Sequence, residues 1–167
     1  KVLKYSGDLP NVEDVWDFSP QQKVLIPYVK RSWKNIPYEI LPNRLQKIRD
    51  NIKGYHSPNF YRRFSVDEIC GTITASAQPE NCGIIHAQEN RRYNVREIAR
   101  IQSFPDDFTF FAPTIPNKYK IIGNAVPPVM AYAIASYCKD ILENKVSESC
   151  ETRFHKSGEQ SLLFAEI

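Results

Sequence analysis

No apolar run in these 167 residues reaches the length of a membrane span, and no charged leader with an apolar core opens the chain. A membrane partner is therefore not expected. Cysteine is sparse. Cys70, Cys82, Cys138 and Cys150 form no C-x-x-C pair and share no metal-ligand spacing with His56, His86 or His155. That argues against a metal centre and points to a reducing cytosol. Cys138 falls on an apolar helical stripe and is expected to be a small core residue. An excess of one charge is lacking too. The balance of 22 basic against 19 acidic residues leaves only +3, too little to announce nucleic-acid binding by itself. Any such surface must come from local clustering. The chain opens on Lys1 rather than Met, as expected of an excised domain or a processed chain.

What is present suffices for a core. Apolar residues make up 42% and charged residues 25%, ordinary values for one domain or a small domain plus an appended piece. Residues 1–18 are polar and turn-rich and predict irregular structure. Ser19-Pro20 reads as an N-cap with Pro at the first helical position, opening a helix over Gln21–Tyr28 whose end Pro27 blurs. A second helix is expected over Arg44–Lys53. Leu45, Ile48 and Ile52 share its apolar face, Gly54 caps its end, and Arg44, Lys47 and Arg49 are read as a solvated face, with contact to DNA phosphates as the sharper alternative.

Tyr55–Phe64 changes character. Aromatics interleave with Arg62 and Arg63, a pattern suited to phosphate and base contact. The plainer alternative is an edge strand with two surface arginines. Ile69–Ala75 is rich in β-branched residues and predicts a strand. Ile84-Ile85-His86 predicts a second one, and the two are expected to pair as a hairpin around a turn-rich loop. His86 is read as a structural histidine.

Two runs then organise the rest. In Arg91–Phe108, Asn94 can cap a helix and Glu97 can reach back to the cap, as in a capping box. Arg96 and Arg100 share a face, Glu97 is placed to pair with Arg100, and Pro105 is expected to stop the helix. Thr109–Lys118 predicts an apolar-aromatic loop. In Tyr119–Pro128, Gly123-Asn124 reads as a turn, and Pro127-Pro128 suits the start of a new helix. That helix carries Met130, Ala133, Ile134, Tyr137, Ile141 and Leu142 on one stripe at helical period. Residues 143–167 read as a polar tail.

Together the two runs resemble the DNA cytosine-5 methyltransferases. Residues 91–108 are similar to the family's motif IX, and Tyr119-Lys-Ile-Ile-Gly-Asn-Ala-Val-Pro-Pro128 to its motif X, in the right order with a short spacer. The resemblance implies an α+β architecture. A small, loop-rich target-recognition domain with short strands would occupy residues 1–90. The helical segment 91–142 would pack on a doubly wound methyltransferase domain, and 143–167 would form the tail. It implies double-stranded DNA as substrate, recognition loops near 57–64 and 74–83, and DNA contact by Arg62, Arg63, Thr72, Thr74 and Ser76. It places Asn124, Ala125 and Val126 beside S-adenosylmethionine. The setting implied is a cytoplasmic, prokaryotic restriction-modification enzyme.

Three family features are missing. No Cys follows a Pro, no F-x-G-x-G occurs, and no Glu-Asn pair continues to Val. The resemblance thus covers the C-terminal half of such an enzyme. The chain is expected to need an N-terminal methyltransferase domain or subunit for chemistry, and in that domain's absence to self-associate through its last helix or to pack that helix differently. Two other readings stay open: a non-catalytic sequence-specific DNA-binding or specificity subunit, and a scaffold domain that binds neither DNA nor cofactor.

Overall fold

The computed structural model describes residues 8–51 and 59–143. Helix α1, Pro20–Leu25, begins as its sequence predicts. Ser19 Oγ accepts from Gln22 N, and Gln22 Oε1 accepts from Ser19 N, closing a capping box. Pro27 has no N–H to continue the ladder, so the chain tightens into a 3-10 turn, Ile26–Tyr28. Two more such turns, Trp33–Asn35 and Tyr38–Ile40, lead to α2, Asn43–Asp50. Expectations for Ile52, Lys53 and Gly54 lie outside the described residues. Leu25, Ile26, Val29, Trp33, Ile36 and Leu45 bury a first core with Tyr61 and Ile85. Each such aliphatic side chain contributes roughly 1.5–3 kcal/mol. Arg49 leaves the solvated face expected of it. Its guanidinium donates to Ile36 O at 2.8 Å and ties α2 to the preceding turns.

The second core gathers Ile73, Cys82 and Ile84 with Tyr93, Ile98, Tyr119 and Ile122. Helix α3, Val95–Ile101, carries the Asn94–Glu97 capping box. Its end differs from expectation. Pro105 does not stop it. Ser103 adopts a left-handed φ of 62°, Ser103 N donates to Arg100 O, and Phe104 N donates to Ala99 O, both at 2.9 Å. These are the paired bonds of a Schellman stop, with Ser where Gly is usual. The expected loop over Thr109–Lys118 is also shorter than predicted. Thr114 accepts from Asn117 N and opens α4, Ile115–Asn124. Gly123 and Asn124 are therefore the last helical residues and form no turn. The irregular N-terminal stretch is tied to this core: Val95 N donates to Asp14 O, and Asn11 brackets Phe110 through Phe110 N and Phe110 O.

Among the described residues no strand forms. Ile85 makes isolated bridges to Arg63 and Arg92. The hairpin expected between 69–75 and 84–86 is replaced: His86 N donates to Arg91 O and Tyr93 N to Ile84 O, so 84–86 pairs with the start of the motif IX run. The 69–75 stretch has no partner ladder because it turns at 74–77, where Ala77 takes a φ of 45° and its N–H donates to Thr74 O.

Helix α5, Pro128–Leu142, starts where Pro127-Pro128 predicts. None of its residues is buried. Met130, Ile134, Tyr137 and Ile141 are each about half exposed, at 53, 51, 50 and 48%. Cys138 is exposed and is not the core residue the stripe suggested. Contacts divide the described chain between Ala131 and Tyr132, inside this helix. Ile115–Leu142 taken together is long and apolar enough, by length and composition, to cross a membrane, which inspection of single runs did not anticipate. It is not one continuous α-helix: Ala125 leaves the helical region at ψ 146° and ends α4.

Candidate nucleic-acid and cofactor interface

The arginines that the motif supplies are used inside the protein. Arg91 forms a two-pronged pair with Glu97 at 2.7 and 2.9 Å and a second pair with Glu89 at 2.6 Å. Glu97, one of the most buried carboxylates, thereby takes Arg91 and not Arg100. Arg100 instead grips Asp106 with two bonds of 2.5 Å. The pair holds the Asp106 carboxyl below its ordinary range. Arg96 is fully buried and donates to Pro10 O, Pro105 O and Phe108 O. Arg92 lies between the Trp16 and Phe18 rings, 4.5 and 4.7 Å from their centroids. It donates to Ala77 O, to Gln22 Oε1 and to Gln78 Oε1. Burial shifts Arg92 and Arg96 below their ordinary pKa. The aromatic faces and carbonyls replace the lost hydration of these cations.

Arg63, expected at the DNA surface, is bonded within the protein. Its Nε donates to Val29 O, Nη1 to His86 O and Glu89 O, and Nη2 to Ile26 O and Asn90 Oδ1. A guanidinium has five N–H groups, and all five are spent on protein acceptors. Arg63 braces the first core against the 86–90 turn and offers no free edge to a base. Arg62, half-buried like Arg63, is paired with Glu68 and stacked on Phe64 at 4.5 Å. His86 is buried and structural. Its Nδ1 accepts from Gln88 N and Glu89 N, and burial with nearby Arg91 lowers its pKa.

The hydroxyl residues behave differently. Thr72 and Ser76 are exposed, Thr74 half-buried. Thr74 Oγ1 and Ser76 Oγ are 3.1 Å apart, and Asn81 Nδ2 donates to Ser76 Oγ at 3.1 Å. Asn81 joins a group that sequence inspection left without it. Nothing local marks it, since the turn at 74–77 brings it back to Ser76.

Gly123 connects this loop to motif X. A Cβ there would sit 2.6 Å from Thr74 C, Thr74 O and Ala75 N. Only a residue without Cβ lets α4 lie this close to the loop backbone. The contact opens onto a cleft of about 420 Å³ lined by Cys70, Thr72, Gln102, Gly123, Ala125 and Pro127, among others. Thr72, predicted for DNA, and Ala125, predicted for cofactor, thus share one wall. Asn124 lines a different hollow of about 370 Å³, with Phe111, Lys120 and Ile121. Val126 is 60% exposed. So the structure places Thr72 and Ala125 on one cleft, and joins Thr74 to Ser76 by side chain and to Gly123 by backbone. It sets Asn124 on another hollow and engages Arg63 in hydrogen bonds within the protein.

Ser103 carries a second joint. Val129 N, an orphan donor at the start of α5, donates to Ser103 Oγ at 3.2 Å. Pro127 has no side-chain acceptor, so the end of the motif IX helix caps the helix that follows motif X. Gln102 Nε2 adds a bond of 3.4 Å to Ile122 O.

Comparison with known proteins gives the family. The C-5 cytosine-specific DNA methylase model matches residues 12–140. The chain is 36% identical to the type II methyltransferase M.Eco47II of Escherichia coli over 114 residues, 66% of this chain and 26% of that one. It is 35% identical to the type II methyltransferase M.PspPI of Psychrobacter sp. over 136 residues, 78% and 31% of the two chains. With the DNA (cytosine-5)-methyltransferase CMT3 of Arabidopsis thaliana it shares 46% over 68 residues, 41% and 8%. It spans about a third or less of the length of these relatives. The family match runs through both cores and both motif runs, and the chain belongs to the C-5 cytosine-specific DNA methylases.

Proposed function

We propose that this chain is the target-recognition and C-terminal portion of a DNA (cytosine-5) methyltransferase of restriction-modification type, working in the bacterial cytoplasm on double-stranded DNA. The observation that carries the reading is the seating of Gly123 against Thr74 and Ala75. It couples the loop that bears the candidate DNA contacts to the segment that bears the candidate cofactor contacts. Arg62 and the hydroxyls of Thr72, Thr74 and Ser76 hold the duplex. Arg63 acts behind them as a brace.

S-adenosylmethionine supplies the methyl group when bound. Of the three residues assigned to it, Ala125 lines the cleft with extended backbone and Val126 follows with an exposed apolar side chain, while the exposed amide of Asn124 opens on the neighbouring hollow. That mixture suits a ligand with a polar and an apolar part. The reaction also needs a thiolate to add to a flipped-out cytosine. The family carries it in a Pro-Cys dipeptide, which this sequence does not contain. The thiol and the rest of the cofactor site come from a doubly wound methyltransferase domain, and α5 packs on that domain through Met130, Ile134, Tyr137 and Ile141.

Co-expression with a family methyltransferase domain bearing Pro-Cys, followed by transfer of labelled methyl groups to duplex DNA, tests the proposal. The chain alone is expected to transfer none, and the assembled pair to methylate cytosine at defined sites. Methyl transfer by the chain alone, or none by any assembled pair, overturns it.

A further inference from the structure

The loop 74–82 is held far more firmly than an exposed turn requires. Ala77, at φ 45°, is fully buried, and the Arg92 guanidinium takes its carbonyl from below. Gln78 binds the same guanidinium through its side chain, and its carbonyl accepts from Asn81 N and Cys82 N at 2.9 and 3.1 Å. Pro79 O accepts from Tyr61 N at 2.7 Å, and Tyr61 donates from its hydroxyl to Glu80 at 2.8 Å. Tyr61 itself has a left-handed φ of 40°. A non-glycine residue in that region persists only where its surroundings over-determine it. Every residue from Ala77 to Cys82 is thus tied to the protein, and the outward edge carries Thr74, Ser76 and Asn81.

On that edge Asn81 has the least to do for the fold. It is exposed, and its side chain makes one hydrogen bond, from Nδ2 to Ser76 Oγ. Among the described residues its second N–H and its Oδ1 bond to nothing. A carboxamide with one free donor beside one free acceptor matches the N7 and N6–H₂ edge of adenine in the major groove. Ser76 fixes the amide's rotation, so its orientation is set before DNA arrives and little rotamer entropy remains to be lost.

We infer that Asn81 reads an adenine in the target sequence, presented by a loop that buried Arg92 holds in shape. This rests on the function proposed above and assigns a base-reading residue within it.

The test is selection of randomised duplexes by the full chain and by Asn81→Ala, with affinity measured across a range of salt. Wild type is expected to prefer A·T at one position. Asn81→Ala should lose that preference on the order of 10- to 100-fold, with the dependence of affinity on salt unchanged. Arg62→Ala is the contrast: it should weaken binding to all sequences alike and flatten the salt dependence by about one phosphate. A preference that survives Asn81→Ala overturns the inference and leaves the proposed function standing. So does an Asn81→Ala that weakens all sequences alike. A wild-type chain with no preference at any position sinks both.

Discussion

Arginine dominates at the scale of the residue. Among the described residues, arginines anchor to carbonyls, carboxylates or rings of the protein itself, among them Arg49, Arg62, Arg63, Arg91, Arg92, Arg96 and Arg100. Their number was plain from the sequence and their use was not, since partners lie up to 86 positions away. Arg92→Met should keep the packing between Trp16 and Phe18 while orphaning Ala77 O. Its cost is expected at about 2–3 kcal/mol in urea unfolding, mainly from the unsatisfied buried acceptor. His86 gives a pH signature. Its folded pKa lies below the ordinary 6.5, so below about pH 6.5 the unfolded chain takes up protons that the folded chain refuses, and stability falls on acidification. The carboxylates titrate lower. Burial pushes Asp14 up, but bonds from Lys118 and Asn11 bring it below the usual value, and Arg91 does the same for Glu89. Their stability contribution is present above pH 4–5 and fades below. Thermal melts between pH 7.5 and 5.5 should therefore show a decline that His86→Asn removes.

Elements are started by their own sequence and ended or joined by their neighbours. Ser19 and Asn94 were legible as caps because a cap needs only residues within three positions. Asn94→Ala is expected to cost about 1–2 kcal/mol, measured by chemical denaturation, because its box is buried. The stop of α3 lies at Ser103 and not at the visible breaker Pro105, because Ser is not a residue that announces a left-handed stop. Ser103 also caps α5 from a distance. Two substitutions separate its roles. Ser103→Ala keeps the strained φ and loses the cap, so it should destabilise by about 1–2 kcal/mol in thermal melts. Ser103→Gly loses the cap and relieves the strain, so it should lie closer to wild type. The strands predicted at 69–75 and 84–86 failed for a related reason. β-branched residues favour extended backbone, but a ladder needs a partner, and the first stretch lies against Gly123 of α4.

At the scale of the whole molecule, two features stand out. Gly123 is the point where the 74–82 loop meets the 119–128 run. Gly123→Ala would drive its methyl into backbone that cannot give way, and a loss of about 1–3 kcal/mol in unfolding is expected. The second is α5, whose stripe was legible as a 3.6-residue period but whose burial was not. With Met130, Ile134, Tyr137 and Ile141 half exposed, the isolated chain should self-associate in sedimentation, and Ile134→Glu with Tyr137→Lys should return it to monomer. A monodisperse wild-type monomer would contradict this. By itself the sequence determined the caps, the order of the two motif runs, the apolar stripe and the absence of a Pro-Cys nucleophile, because these depend on residue identity and short spacing. Only the tertiary structure decided that Arg63 bonds to backbone carbonyls of the protein, that Asn81 joins Ser76, and that Thr72 and Ala125 line one cleft. Those outcomes depend on which distant backbone carbonyls and helices fold against each residue, and no local pattern encodes them.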